Sequence, residues 1–484
     1  MNQKTKILSG LIWKFLERCG TFGIQFVIQI VLARLLFPAD YGVIAIIAVF
    51  ISLSNVFIQS GLNTALIQKK EVSDTDYSTV FFISLFIALL LYILLWTISP
   101  VIASFYKMPI LEEIIPILSV VLFTGAINSV QNAIIARNLQ FKKLFYSSLS
   151  GTVISGIIGI ILAHIGFGVW ALVFQQIANS IIVCLVMWVT IRWRPKLVFS
   201  WKKARDLFSF GWKLLVSNLL NVLYSDLTTL VVGRKFSSEI LGVFTRGKQF
   251  PQIVVNNIDG SIQSVMLPAY SAEQDDKAKL KSMMRRTITS SSFFLFPMMV
   301  GLAAIATPLV DLLLTEKWLS CVPFLQLFCF SYALTPIHTA NLQIINGMGR
   351  SDIFLRLEII KTIVGLSILI LTVCFFDNAI YLAYSSVFSG IISSFINASP
   401  NKKLLNYSYL EQIKDIYPSL FIALLMGMIV LLIGRWDVHP LLLMGVQCIS
   451  GCGIYVLLSN FFNYEILSYC VETVTDYFQV KKKK

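Results

Sequence analysis

A chain of 484 residues that is 57% hydrophobic and only 13% charged lies outside the balance of any soluble domain of that size. Its mean hydropathy is +0.78. The formal net charge of +14 at pH 7 raises the question of a nucleic-acid partner. No basic stretch interleaves with aromatics in a soluble module, so that class is set aside.

A helix crosses the hydrocarbon core in about 20 apolar residues. On that measure the predicted spans, in chain order, are 15–36, 42–66, 79–104, 112–135, 147–165, 168–191, 209–233, 241–268, 288–314, 321–345, 354–376, 379–399, 417–434 and 440–462. Lys and Arg concentrate in every second connection. Lys4 and Lys6 precede span 1, and Lys69 and Lys70 follow span 2. Arg137, Lys142 and Lys143 follow span 4. Arg192, Arg194, Lys196, Lys202, Lys203 and Arg205 follow span 6, and Lys277 to Arg286 follow span 8. Arg350, then Lys402, Lys403 and Lys414, and finally Lys481 to Lys484 complete the series. The alternate connections hold Arg34, Lys107, Arg234, Lys235, Lys317 and Arg435 alone. Short basic loops stay cytoplasmic, so both termini are expected inside and the net charge is mostly topological, set against the anionic inner leaflet. No cleavable signal peptide is expected.

Three segments repeat at an offset near 200. Span 1 ends Val31-Leu32-Ala33-Arg34 and turns to Gly42-Val43; span 7 ends Val231-Val232-Gly233-Arg234 and turns to Gly242-Val243. Trp13-Lys14 is echoed by Trp212-Lys213, and Asp74 and Asp76 by Asp275 and Asp276. Six intervening spans keep both copies in one orientation, which is a parallel repeat. The expectation is an all-α polytopic membrane protein with about 14 spans: two parallel-repeat six-helix bundles, at 1–192 and 209–400, around a central cavity. A cytoplasmic linker at 193–208 joins them, and 401–484 adds a helix pair and a basic tail.

Charged groups at bilayer depth are costly and face water or a partner. Span 1 carries Lys14, Glu17 and Arg18; span 7 carries Lys213, Asn218, Asn221 and Asp226; span 8 carries Arg246, Lys248, Asn256 and Asp259. In span 8 the positions 249, 252, 256, 259 and 263 advance by three and four, one polar stripe on a helix. Two readings stand for Lys14, Glu17, Arg18 and Lys213: a cavity lining, or an interfacial turn whose long side chains snorkel. Arg246 and Lys248 divide the same way at the outer end of span 8. Asp226 and Asp259 snorkel poorly and are candidates for carrying a coupling ion. Arg34 and Arg234 suit helix C-termini. The excess of cationic groups favours an anion such as a diphosphate, and the amides suit sugar hydroxyls.

His164, His338 and His439 share no ligand spacing, and Cys448 and Cys452 read as small-residue packing, so no metal and no cofactor is expected. Asn406-Tyr407-Ser408 fits a glycosylation sequon but falls in a predicted cytoplasmic loop. The longest outer connection, near 104–112, is too small for a catalytic domain, and no nucleophile triad, phosphate loop or metal cluster is present, which argues against an enzyme.

Leu32-Ala33-Arg34-Leu35-Leu36-Phe37-Pro38-Ala39-Asp40-Tyr41-Gly42 resembles the first-hairpin signature of the bacterial polysaccharide transporter family. So do the runs Gly61 to Gln68, Gly166 to Leu172, Arg194-Pro195 and Leu267-Pro268-Ala269-Tyr270-Ser271, in register from about residue 10 to 320. These are O-antigen, colanic-acid and teichuronic-acid type flippases of the multidrug/oligosaccharidyl-lipid/polysaccharide superfamily. The resemblance implies flipping of an undecaprenyl-diphosphate-linked oligosaccharide across the cytoplasmic membrane by alternating access, with a proton or sodium gradient as candidate driving force. It implies basic cavity residues on spans 1, 7 and 8, no nucleic acid, and polymerase and chain-length proteins of the same pathway as partners. Where relatives carry a Tyr after the glycine of the span 7–8 turn, this chain has Phe244. A multidrug antiporter of the same superfamily, a membrane polysaccharide polymerase or ligase, and a lipid-dependent glycosyltransferase are the alternatives.

Overall fold

The computed structural model describes residues 3–59, 61–69, 71–436, 438–462 and 466, and these are helical with no strand among them. The basic tail Lys481 to Lys484 and Lys70 lie outside the described residues, as do the side chains of Lys4 and Lys6. By packing, the chain divides into two compact units, Met1–Gly242 and Val243–Lys484.

The first unit contains α1 (Gln3–Leu35), α2 (Pro38–Gln59), α3 (Leu62–Gln68), α4 (Asp74–Tyr106), α5 (Ile110–Ser119), α6 (Val121–Asn138), α7 (Phe141–Ile165), α8 (Val169–Thr190), α9 (Trp201–Lys235) and the first turn of α10 (Ser238–Ala272). Local chemistry places several of these ends. Ser73 caps α4, with its hydroxyl accepting from Asp76 N while the Asp76 carboxylate accepts from Ser73 N. α6 stops at Leu139, whose φ of 55° leaves the right-handed region. α7 packs on α1 and α8 through a buried face of Ser147, Gly151, Thr152, Ser155, Gly156 and Gly159. Small residues let helix backbones approach where lipid gives no hydrophobic drive. Leu66, Val80, Val130, Ile135 and Met187 form the main apolar cluster. α9 packs on α2, α3 and α4. The division by packing therefore falls after Gly242, one helix later than the 193–208 connection expected from the sequence.

The second unit contains the rest of α10, α11 (Lys277–Ala304), α12 (Ala306–Leu314), a 3-10 turn (Glu316–Cys321), α13 (Val322–Ala333), α14 (Thr335–Gly347), α15 (Ser351–Phe375), α16 (Ile380–Ala398), α17 (Asn401–Leu405), α18 (Tyr409–Ile433) and α19 (Pro440–Phe461). α11 is its hub, packed on α13, α14 and α18, while α19 lies on α18. Among the described residues, thirteen helices are long and apolar enough to cross a membrane. The predicted eighth span, α10, is 35 residues long but is not one of them, because its polar stripe dilutes its hydropathy.

The echo between the halves has a physical counterpart at the first turns of α2 and α10. A Cβ on Gly42 would stand 1.8 Å from Ser238 O, and one on Gly242 would stand 1.8 Å from Pro38 O. Glycine is required at both positions because the opposing atoms are backbone. A second echo lies in the paired breaks of α5–α6 and α13–α14. α6 ends at a positive-φ Leu139 before α7 begins at Phe141, and α14 is followed by a positive-φ Gly349 before α15 begins at Ser351.

Gly42→Ala should therefore cost about 3 kcal/mol or abolish folded yield, since backbone atoms cannot move aside. Gly445→Ala, with open space around its Cβ, should leave stability unchanged or slightly raised. Thermal unfolding in detergent measures both, and equal stability of the two variants would overturn the close-approach argument.

Candidate functional site

Most of the charged and amide residues expected inside the spans are held by specific partners. On α1, Lys14 Nζ lies 2.8 Å from Glu17 Oε2 one turn away, with the Lys side chain half exposed and Glu17 largely covered. Lys14 Nζ also stands 6.0 Å above the Phe141 ring. Arg18 is exposed. On α9, Ser217, Asn218 and Ser225 are exposed, and half-buried Asp226 accepts a hydrogen bond from Ser52 Oγ on α2 at 3.2 Å. The side chains of Lys213 and Asn221 lie outside the described residues.

On α10, Arg246 is only 5% exposed. It donates to Gln249 Oε1 at 2.7 Å, and its guanidinium lies 5.3 Å above the Trp318 ring. Buried guanidinium tolerates such a setting when it stacks and donates at once. Lys248 is half-buried, and Asn256 and Asn257 are exposed. Asp259 accepts from Gln263 Nε2 at 2.6 Å and from the Thr339 hydroxyl of α14. The stripe 249, 252, 256, 259 and 263 is thus partly exposed along its length and internally hydrogen-bonded. Phe244 is buried, with its ring centroid 5.7 Å from that of Phe324 and 5.2 Å from that of Phe328. A hydroxyl there would have met an apolar cluster, so this position serves packing.

The structure pairs Lys14 with Glu17, Asp226 with Ser52, and Asp259 with Thr339. It also contains polar groups that the sequence reading passed over. Glu358 and Lys361, one turn apart inside α15, pair at 2.5 Å with side chains 33% and 14% exposed. Two charges in an otherwise apolar run were the available signal. Buried Asn341 exchanges hydrogen bonds with Gln412 and accepts from Asn401, joining α14, α17 and α18. Asn397 of α16 bonds His338 Nδ1 at 3.1 Å. The sequon residue Tyr407 is 1% exposed and donates to Asp415; burial pushes its phenol pKa up.

The described residues make an all-α polytopic membrane fold, and solved structures share it. The lipid II flippase MurJ in an inward closed conformation superposes with TM-score 0.76 at 17% identity, covering 95% of this chain and 100% of that one. An inward-facing multidrug resistance MATE family transporter of the MOP superfamily gives TM-score 0.57 at 16% identity, covering 84% and 95%. A family model described as polysaccharide biosynthesis protein matches residues 31–323, and the chain belongs to that family. Its relatives include the succinoglycan biosynthesis transport protein ExoT of Rhizobium meliloti, 25% identical over 75% of this chain and 73% of ExoT. The lipopolysaccharide biosynthesis protein WzxC of Escherichia coli is 24% identical over 75% and 74%. The teichuronic acid biosynthesis protein TuaB of Bacillus subtilis is 23% identical over 72% of each chain.

The Asp259–Thr339 contact makes a defined prediction. Thr339→Val should cost about 1–2 kcal/mol by removing one donor from the carboxylate. In an Asp259→Leu background the same change should cost much less. Detergent unfolding of the four proteins checks this, and strict additivity would contradict the contact.

Proposed function

We propose that this protein is a flippase that moves oligosaccharide repeat units, linked to undecaprenyl diphosphate, from the inner to the outer leaflet of the cytoplasmic membrane for lipopolysaccharide, capsule or exopolysaccharide biosynthesis. The observation that carries the reading is the set of cationic and amide side chains held on membrane helices α1, α9 and α10 of a chain that belongs to a polysaccharide biosynthesis family. The names of ExoT, WzxC and TuaB supply the substrate class, and the MurJ-like fold suits a lipid-linked sugar.

In this reading Lys14, Arg18, Lys213, Arg246 and Lys248 offer charge-assisted hydrogen bonds to the diphosphate. Asn218, Asn221 and Asn256 both donate to and accept from sugar hydroxyls. Burial of Arg246 under Trp318 makes it the member that orients Gln249 and the stripe, whereas exposed Arg18 and half-buried Lys248 meet the anion more directly. Glu17, Asp226 and Asp259 are the acidic groups available to an ion gradient. Asp226 and Asp259 accept hydrogen bonds from the neutral hydroxyls of Ser52 and Thr339, which makes each a candidate to meet a coupling ion. Alternating access is the mode of transport that this reading implies. Both termini lie in the cytoplasm, as the alternation of basic loops requires. Polymerase and chain-length proteins of the same pathway would receive the product.

The multidrug-antiporter reading needs an acidic or aromatic cavity for cationic drugs, which the basic excess disfavours. An enzymatic reading needs a reactive constellation, and the groups named above bind and orient rather than attack.

Purified protein in proteoliposomes should flip a defined lipid-linked glycan and leave a cationic dye where it is. Arg18→Gln and Lys248→Gln should each slow flipping about tenfold through loss of one charged hydrogen bond. Dye transport with no glycan flipping would overturn the proposal. Asp226→Asn should abolish the dependence of flipping on an imposed proton or sodium gradient; unchanged gradient dependence would remove Asp226 from the coupling role.

A further inference from the structure

The connection between α8 and α9 is held against α4 in an unusually specific way. Lys196 N donates to Ser78 Oγ at 3.0 Å and Ser200 N donates to Thr79 Oγ1 at 3.2 Å. Both hydroxyl residues are fully buried. Lys196 Nζ pairs with Asp74 at 2.5 Å, and Lys203 Nζ donates to Ser73 Oγ at 2.6 Å. Beneath them, Asp76, 2% exposed, is 2.7 Å from Lys69 Nζ. A loop tied down by its own backbone N–H groups is a fixed wall. α9 closes the opposite side by backbone contact: a Cβ on Gly211 would stand 2.6 Å from Gly61 C, and Gly61 has a φ of 85°.

Phe199 of this connection and Gly211 of α9 line a cavity of about 930 Å³ within the first unit. Its lining is almost wholly apolar, with Phe57, Phe82, Phe86, Phe199 and Phe208, and a single charged group, exposed Arg205. Exposed Lys202 adjoins Arg205, and Trp201, which also lines the cavity, is 81% exposed. Aromatic rings beside Lys and Arg are the signature of the bilayer interface, and the basic 193–208 connection is expected on the cytoplasmic face. An aromatic slot that opens beside cations at that depth matches a lipid with a long apolar tail and a strongly anionic head.

We infer that this cavity is a docking site for the polyprenyl tail of an undecaprenyl diphosphate lipid on the inner-leaflet side, with Arg205 set against the diphosphate. The inference rests on the flippase reading and adds to it a tail site separate from the charged positions of α1, α9 and α10. Held there, the lipid is presented at the inner leaflet by its tail, and the head is free to enter the passage.

The test uses the full-length protein in nanodiscs with a photoreactive undecaprenyl diphosphate carrying a diazirine in its tail. Peptide mass spectrometry should place the label on residues 82–87 and 199–208. Unlabelled undecaprenyl diphosphate should compete, and excess phosphatidylglycerol should not. Arg205→Ala should weaken labelling about tenfold, with Arg205→Lys retaining most of it. Ala204→Phe, which fills the slot, should also reduce labelling. Equal competition by phosphatidylglycerol would make the cavity an ordinary annular lipid site and overturn the inference, as would labelling indifferent to both Arg205→Ala and Ala204→Phe. Flipping of the glycan is scored separately. Flipping without label in this cavity defeats the docking site alone, whereas tail labelling without flipping supports the docking site and defeats the transport reading alone.

Discussion

A charge or an amide can lie at bilayer depth only where water or a partner meets it, because hydrocarbon offers neither. The whole architecture follows from how this chain meets that demand. Several enclosed or half-enclosed polar side chains take a partner from a neighbouring helix or from the next turn: Ser52 for Asp226, Thr339 for Asp259, Glu358 for Lys361, and the Asn341, Gln412 and Asn401 cluster for itself. Among the side chains left exposed are the uncharged amides Asn218 on α9 and Asn256 and Asn257 on α10. Such a surface binds water and sugar hydroxyls equally well, which is what a passage for a glycan requires.

The same demand shapes the ends of the helices. The cytoplasmic ends expected from the basic loops are built from ion pairs and caps, as at Ser73, Asp76, Lys196 and Lys203, and these pin irregular backbone where it would otherwise expose unsatisfied groups. The turn of α10 onto α2 solves a different problem. Reciprocal approach at Gly42 and Gly242 brings backbone against backbone, with each glycine facing the carbonyl of a residue four positions before the other.

Much of this was legible in the sequence, and for a simple reason: hydropathy averaged over about 20 residues reports bilayer crossing directly. Thirteen of the fourteen predicted spans stand out by that measure, and α10 falls short of it because of its polar stripe. The family was legible from the turn residues, since Pro38, Gly42 and Gly242 answer to backbone geometry. Packing partners were not legible. Nothing in the apolar faces of α9 says that they meet α2, α3 and α4. Arg246 reads from the sequence as a pathway or outer-face residue, and nothing near it in the chain announces its stack on Trp318, seventy-odd positions away. Glu358 and Lys361 hid in a run whose average hydropathy stayed high. The apolar cavity beside Arg205 depends on a loop folding back onto Ser78 and Thr79, a tertiary event with no local signal.

The central claim is that α9 and α10 present a wet, substrate-facing stripe. In a cysteine-free background, single cysteines at Asn218, Asn256 and Gln263, and on the apolar faces of the same helices at Leu220 and Val255, can be challenged with a membrane-impermeant maleimide. The account predicts reaction at the three stripe positions, slowed by added lipid-linked glycan, and none at Leu220 or Val255. Uniform reactivity on both faces, or stripe positions that ignore the reagent and the glycan alike, would contradict it.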